Sequence, residues 1–252
     1  MIASQRYEKI IELVNKTGIV NIKEMAKLLE VTEATIRRDC ELLEKEQKLI
    51  RVHGGAKSVL QKEIRSNFND KKMKERTEHY EEKESVCQRA AMFVKQGECV
   101  YLDAGTSIVP MLKYLKGKHL KIVTPSIMIA NIFEDDDSEL IFTGGKFTQA
   151  YGMVVGPLTL EILKKFSFNH AFIGCTGVEV NNGIVYTGEI ETMSIKEIAM
   201  QQSLKKYLLI DSSKLFVKGF YGLMNLQDFD IVLCNSMNEK KLEEIPDNFL
   251  FV

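Results

Sequence analysis

Charge of either sign is almost without excess in this chain. Across 252 residues, 34 lysines and arginines stand against 35 aspartates and glutamates, a formal net charge of -1. No global positive field advertises a polyanionic partner, so any nucleic-acid surface has to be local. Cysteine is sparse: Cys40, Cys87, Cys99, Cys175 and Cys234 are odd in number, widely spaced, and accompanied by neither a C-x-x-C pair nor a His-rich cluster. That pattern excludes a recognisable metal site and points to buried thiols in a reducing cytoplasm. Long apolar runs are missing too. The N-terminus "MIASQRYEKIIELV" has no continuous apolar stretch with a cleavage site, and charges interrupt every candidate span, so neither export nor membrane insertion is expected. Neither G-x-G-x-x-G nor G-x-x-x-x-G-K-[ST] occurs, and no dinucleotide or other cofactor is expected. There are no repeats or low-complexity tracts.

What the chain does contain divides in two. From Arg6 to Thr17, Tyr7, Ile10, Ile11 and Val14 recur at spacings of three and four, one face of an amphipathic helix that Gly18 stops. Asn21 and Glu24 form an N-cap and N3 pair for a second helix, whose buried face is Met25, Leu28 and Leu29. Thr32 opens a third helix running to about Gln47, with Ile36, Cys40 and Leu43 inward. "LIRV", Gly54-Gly55 and "AKSV" read as two short strands about a tight turn. Three helices and a hairpin make a winged helix-turn-helix over residues 1–60. The mixed-charge stretch 61–84, "QKEIRSNFNDKKMKERTEHYEEKE", reads as a linker or exposed helix. Over 85–252, strand-like segments ("CVYLD", "KIVT", "ELIFT", "HAFIG", "YLLID", "DIVLC") alternate with helical ones around 85–94, 107–115, 127–133, 158–166 and 191–204. Such alternation predicts an α/β domain with a largely parallel sheet.

At about 100° per residue, the side of the third helix away from its apolar residues carries Ala34, Arg37, Arg38 and Glu41, with Thr35 on the flank. In an isolated helix Arg37 would simply pair with Glu33 or Glu41. Within a helix-turn-helix, this face can lie in the DNA major groove, where a guanidinium binds guanine O6 and N7 or grips a phosphate. Arg51, His53 and Lys57 on the hairpin would add salt-dependent backbone contacts. The candidate DNA-facing set is Thr32, Ala34, Thr35, Arg37, Arg38, Arg51, His53 and Lys57.

In the larger domain five strands end in polar runs: "DAGTS", "TPS", "TGGK", "GCTG" and "DSSK". In a parallel sheet these ends share one edge, where ligands of open α/β folds sit. Taken singly, each run is what any strand-to-helix connection uses; together they suggest a small phosphorylated polyol. Gly105 permits close backbone approach, Thr106 and Ser107 would open a helix whose N-terminus favours an anion, and Lys214 and Lys146 supply positive charge.

The segment "TEATIRRDCELLEKEQKLIRVHGGA" resembles the N-terminal signature of the DeoR family of bacterial transcriptional regulators, S/T-x-x-T-I-R-R-D-L followed by R-V-H-G-G, with Cys40 in place of the usual leucine. The resemblance continues through "YLDAGTS", "IVTPS", "IFTGGKF", "AFIGCTGVEVNNGIVYTGEIE" and "LLIDSSK". It implies a sugar-phosphate sensor domain similar in fold to ribose-5-phosphate isomerase and CoA transferases. It implies DNA contact by Thr35, Arg37 and Arg38, an internal role for Asp39, and an effector site lined by Asp103, Gly105, Thr106, Thr187, Glu191 and Lys214. With the strand-end residues, the effector candidates are Asp103, Gly105, Thr106, Ser107, Thr124, Ser126, Gly144, Lys146, Thr176, Thr187, Glu191 and Lys214. Pro125, Thr176, Tyr186 and Thr192 depart from the family's pattern at the pocket rim, so the effector of other members does not transfer.

The expected protein is therefore a non-enzymatic, cytoplasmic transcriptional regulator, a repressor of a carbohydrate-utilisation operon released from double-stranded operator DNA by a phosphorylated sugar. It would act as a homodimer or tetramer, because one winged helix buries too little surface for operator-grade affinity. Two rival readings stand beside it. A sugar-phosphate isomerase or transferase with an accessory winged helix needs a carboxylate base, for which Glu179 and Glu191 are the candidates. A scaffold using the helix-turn-helix to bind protein would lack the steep salt dependence of a DNA binder.

Overall fold

The computed structural model describes residues 3–17, 19–46, 48–52, 54–58, 78–235 and 245–252. The chain falls into two compact units, Met1–Ile64 and Arg65–Val252.

In the first unit the helices are α1 (Ala3–Thr17), α2 (Ile22–Leu28) and α3 (Glu33–Lys45), and the strands β1 (Ile19–Asn21), β2 (Leu49–Val52) and β3 (Gly55–Ser58). The N-cap residues fall where the sequence places them, though Asn21 serves the N–H of Lys23 and no reciprocal bond from Glu24 closes a capping box among the described residues. Asn21 Oδ1 accepts the Lys23 N–H at 2.8 Å, and Thr32 Oγ1 accepts the Thr35 N–H at 3.2 Å. Each satisfies a backbone donor that the first turn of a helix leaves open. Ile10, Val14, Met25, Leu29, Ile36, Cys40 and Leu43 close the core; Leu28, expected inward, is 63% exposed. The helix it ends is only two turns long, and its inner face is filled by Met25, Ala26 and the following Leu29.

The expected hairpin gains a third strand, because Ile19–Asn21 pairs antiparallel with Gly55–Lys57 in the order β1-β3-β2. Gly55 makes this possible: a Cβ there would stand 2.4 Å from the Val20 carbonyl oxygen. Gly55→Ala is accordingly expected to lower the stability of this unit by about 2 kcal/mol through overpacking. Thermal denaturation followed by circular dichroism checks it, and an unchanged midpoint would show that β1 is dispensable.

The second unit begins with α4 (Tyr80–Ala91). The remaining elements are β4 (Cys99–Leu102), α5 (Leu112–Leu115), β5 (Lys121–Thr124), α6 (Ile127–Ile132), β6 (Glu139–Phe142), β7 (Lys146–Thr148), β8 (Met153–Val155), α7 (Pro157–Leu163), β9 (Phe168–Ile173), β10 (Gly177–Glu179), β11 (Ile184–Thr187), α8 (Ile190–Gln201), β12 (Ser203–Ile210), β13 (Tyr221–Asn225), β14 (Ile231–Cys234) and β15 (Phe249–Phe251). Seven strands form one sheet, β15-β14-β12-β9-β4-β5-β6, and every pairing in it is parallel. Side chains alternate between two buried faces, Val100 and Leu102 against α4 on one, Tyr101 against Phe168 and Ile195 on the other. Burial on both faces is why these strands read as unbroken apolar runs.

Three features depart from expectation. First, α4 starts at Tyr80, not near Ser85, so residues 80–84 of the segment expected as a linker or exposed helix are helix, and Lys83 in it is buried rather than exposed; residues 61–77 of that segment lie outside the described residues. Second, the expected helix over 107–115 is two tight turns (Ile108 N–H to Gly105 O, Met111 N–H to Ile108 O) and a single α-turn. No helix therefore opens at Thr106 and Ser107, and the anion-favouring helix end argued there does not exist. Pro110, lacking an N–H, is tolerated because it sits in the first turn. Third, β7-β8, β10-β11-β13 and the edge strand β15 were not anticipated.

Candidate functional site

The outward face of α3 is a ridge. Ile36, Asp39, Cys40 and Leu43 are buried, while Ala34, Arg37, Arg38, Glu41 and Lys45 are exposed and Thr35 is half-covered. Measured from the direction opposite the buried set, Ala34 and Lys45 lie within about 10°, Arg38 and Glu41 about 30° to either side, and Arg37 about 70° off. Asp39 holds the ridge from beneath: its carboxylate takes the Arg6 guanidinium at 2.5 and 3.1 Å, tying α3 to α1. Sequence reasoning gave Asp39 an internal role and missed Arg6, its partner 33 positions earlier.

The two arginines differ. Arg37 Nη2 lies 3.4 Å from Glu33 Oε2, an exposed ion pair one turn apart. Arg38 has no hydrogen bond or ion pair among the described residues. Thr32 and Thr35 share a hydroxyl hydrogen bond of 2.9 Å, so both side chains are engaged at the cap. On the wing, Arg51 is bound to α3: its backbone N–H donates to Glu44 Oε1 at 2.9 Å, and its guanidinium lies 3.8 Å from Glu44 and 4.0 Å from Glu41. Lys57 is half-buried on β3. His53 lies outside the described residues.

In the second unit the polar runs after β4, β5, β6, β9 and β12 do share the carboxyl edge of the sheet, as parallel pairing requires. The chain runs outward from β4 through β5 to β6 and then, on the other side, from β9 to β12 and β14. The order reverses between β4 and β9, the position where an open α/β sheet leaves a crevice. Asp103 after β4 closes its base: Oδ2 accepts the Gly174 N–H at 3.0 Å and lies 2.9 Å from Lys196 Nζ, which also donates to the Gly174 carbonyl. Gly105 and Gly174 approach closely here, an added Cβ on either lying 3.9 Å from the other's Cα.

Around this crevice stand two more lysines. Lys83 of α4 is buried, donates to the Glu78 carbonyl at 2.6 Å and to Thr106 Oγ1 at 3.3 Å, and has no carboxylate within ion-pair distance among the described residues. Burial lowers its pKa; Asp211 opposes that shift and nearby Lys214 adds to it. Lys214 is half-exposed and shows no ion pair with Asp211. Asp211 instead caps its own turn, Oδ1 accepting from Ser213. Its Oδ2 is buried without a hydrogen bond among the described residues, and so is Thr143 Oγ1 after β6. Orphaned buried acceptors and hydroxyls of this kind call for a ligand or water. Burial pushes the Cys175 thiol up to about 12 despite Lys196 and Lys214 nearby, so it remains a neutral thiol.

Other expected residues serve the loops themselves. Thr124 Oγ1 donates to the Leu102 carbonyl and accepts from Ser126, and Ser126 Oγ caps α6. Ser107 is buried, its carbonyl accepting from Cys87. Gly144 offers its carbonyl to Thr159. Thr176 donates to the Tyr186 carbonyl, and Thr187 shares a hydroxyl bond with Thr192. Lys146 and Glu191 are exposed. Of the bases considered for an isomerase, burial raises the pKa of Glu179, but its bonds to Tyr186, Asn182 and Lys218 overcome this and hold it below the usual range. A carboxylate so held is a poor proton acceptor.

Sequence reasoning missed Lys83, placed in the linker, and Lys196, given no role. No helix among the described residues is long and apolar enough to cross a membrane, and no group of three or more His, Cys, Asp or Glu there is arranged to hold a metal ion.

A DeoR-like helix-turn-helix domain matches residues 6–62 and a DeoR C terminal sensor domain matches residues 78–236. The chain is 33% identical to the uncharacterized HTH-type transcriptional regulator YulB of Bacillus subtilis (strain 168), covering 94% of this chain and 90% of that one. It is 30% identical to the lactose phosphotransferase system repressor of Staphylococcus epidermidis, with 95% of each covered. Among solved structures, ribose 5-phosphate isomerase A from Methanocaldococcus jannaschii covers 53% of each chain at 19% identity with a TM-score of 0.39. The sorbitol operon regulator SorC from Klebsiella pneumoniae covers 85% of this chain and 90% of its own at 10% identity with a TM-score of 0.38.

Proposed function

The chain belongs to the DeoR family of DNA-binding transcriptional regulators, and from that premise we propose that it represses a carbohydrate-utilisation operon and leaves its operator when a phosphorylated sugar binds the sensor unit. The observation that carries the reading is the α3 ridge: Arg38, with no hydrogen bond or ion pair among the described residues, projecting beside Arg37 and Ala34 and braced from beneath by the partly buried Arg6–Asp39 ion pair. Such a ridge fits a major groove. Relatives named as lactose phosphotransferase system repressors support a sugar operon. Thr32, Ala34, Thr35, Arg37, Arg38, Arg51, His53 and Lys57 form the proposed DNA-facing set.

For the effector, Lys83, Lys214 and Thr106 supply the anion-binding half of the crevice, and the orphaned Asp211 Oδ2 awaits a sugar hydroxyl. Two cations with neutral hydroxyls suit one phosphate on a polyol. Asp103 and Lys196 act beneath them as the brace that fixes the β4 and β9 loops. The winged helix spans 1–60 and the sensor begins with α4. The working species is a cytoplasmic homodimer or tetramer in which two winged helices read half-sites in adjacent major grooves, and no cofactor takes part.

A thermal-shift screen of the full chain against sugar phosphates tests the effector site. A ligand at a hundred times its dissociation constant stabilises the native state by about 2.7 kcal/mol. Lys214→Ala is expected to weaken that ligand at least tenfold, or about 1.4 kcal/mol, with unchanged binding to duplex DNA. A variant that keeps the whole shift would remove Lys214 from the site.

A further inference from the structure

We propose that Glu41 reads a base: its carboxylate accepts the exocyclic amino group of a cytosine in the major groove and so sets operator sequence. The inference rests on the DNA-binding reading of α3. Glu41 is exposed and, with Arg38, lies about 30° from the outward line of the helix, one to each side. With that line directed into a groove, side chains near it face the floor and Arg37, about 70° away, faces the wall. Arg38 and Glu41 are three residues apart, a rise of about 4.5 Å, so they address neighbouring base pairs.

A carboxylate in this position has to be explained. DNA lines both walls of the groove with phosphates, so an anion here weakens binding to every sequence alike. The ion pair with Arg51 does not account for it. At 4.0 Å, with the two side chains 47% and 55% exposed, such a pair contributes little, and Glu44 already holds Arg51 through both backbone and side chain. On the groove floor, cytosine presents an amino donor that complements a carboxylate, adenine sets its amino donor beside the N7 acceptor that repels one, and guanine presents only acceptors. Arg38 for guanine and Glu41 for cytosine would together specify two adjacent base pairs.

The test is selection from a randomised duplex library with the full wild-type chain, Glu41→Gln and Glu41→Lys. The wild type should enrich a fixed C·G pair beside an arginine-read guanine in each half-site. Replacing that pair should cost the wild type about tenfold in affinity and Glu41→Gln less than twofold. Glu41→Gln should shift the preference towards adenine and Glu41→Lys towards guanine. If Glu41→Gln instead tightens all duplexes equally and keeps the same consensus, the carboxylate only restrains Arg51 and the inference is wrong. Should the wild type enrich no sequence, the DNA-binding reading falls and takes this one with it.

Discussion

Arg38→Ala should lower affinity for a selected operator duplex ten- to a hundredfold while leaving the melting temperature of the protein unchanged. The side chain is exposed and makes no hydrogen bond or ion pair among the described residues, so removing it leaves nothing buried and unpaired. Its direction, close to the outward line of α3, aims it at base edges, where a bidentate guanine contact contributes about 1 to 3 kcal/mol of discrimination. Arg37→Ala should cost less. Its guanidinium already lies beside Glu33, and it points towards the wall of the groove, where a phosphate contact affects all sequences alike. The two differ in salt dependence: Arg37→Ala should reduce the slope of log affinity against log salt by about 1, and Arg38→Ala should leave it nearly intact. Arg38→Lys sharpens the distinction, since an ammonium keeps the charge without the fork. Fluorescence anisotropy at several salt concentrations measures all three. Equal losses on specific and random duplexes for Arg38→Ala would reduce it to a phosphate contact.

The ridge was legible in the sequence because every signal for it is local. Thr32 as cap, Ile36, Cys40 and Leu43 at helical spacing, and a Gly-Gly turn each need only a few neighbouring residues. What escaped depends on pairing over distance. The segment Ile19–Asn21 is too short to show alternation, and becomes a strand only because Gly55 lets it approach β3. Lys83 sits in "YEEKES", whose charge density reads as linker or exposed helix; it is buried because α4 packs on the sheet face carrying Val100 and Leu102. The polar strand ends were found by their composition, but composition cannot tell a hydroxyl that faces a crevice from one that closes its own loop. Thr124, Ser126 and Thr187 are bonded within the scaffold, whereas Thr143, which opens the polar run "TGGK" but is not among the effector candidates, is left with a buried oxygen that has no hydrogen bond among the described residues.

Lys196 is the extreme case, because its meaning exists only in the folded sheet, and its loss should do the most damage. Its ammonium lies 2.9 Å from Asp103 Oδ2, with the two side chains 9% and 2% exposed, and it also donates to the Gly174 carbonyl. Lys196→Met keeps much of the volume but leaves Asp103 a buried carboxylate held by one N–H, from Gly174. Breaking a buried pair by removing one partner costs about 3 to 5 kcal/mol, most of it the uncompensated charge. For a unit of this size that is a fall of roughly 10 °C in melting temperature. Asp103→Asn should cost a similar amount by stranding the ammonium. The double variant Asp103→Asn, Lys196→Met should cost clearly less than the sum of the two, because neither unpaired charge remains. Calorimetry on the three proteins gives the coupling directly. Additive losses, or a single-variant cost under about 1 kcal/mol, would mean that water reaches the pair, and the β4 and β9 loops would then need another brace. The α3 ridge should be untouched by these changes, so DNA binding below the lowered transition should persist while any sugar-phosphate response fades.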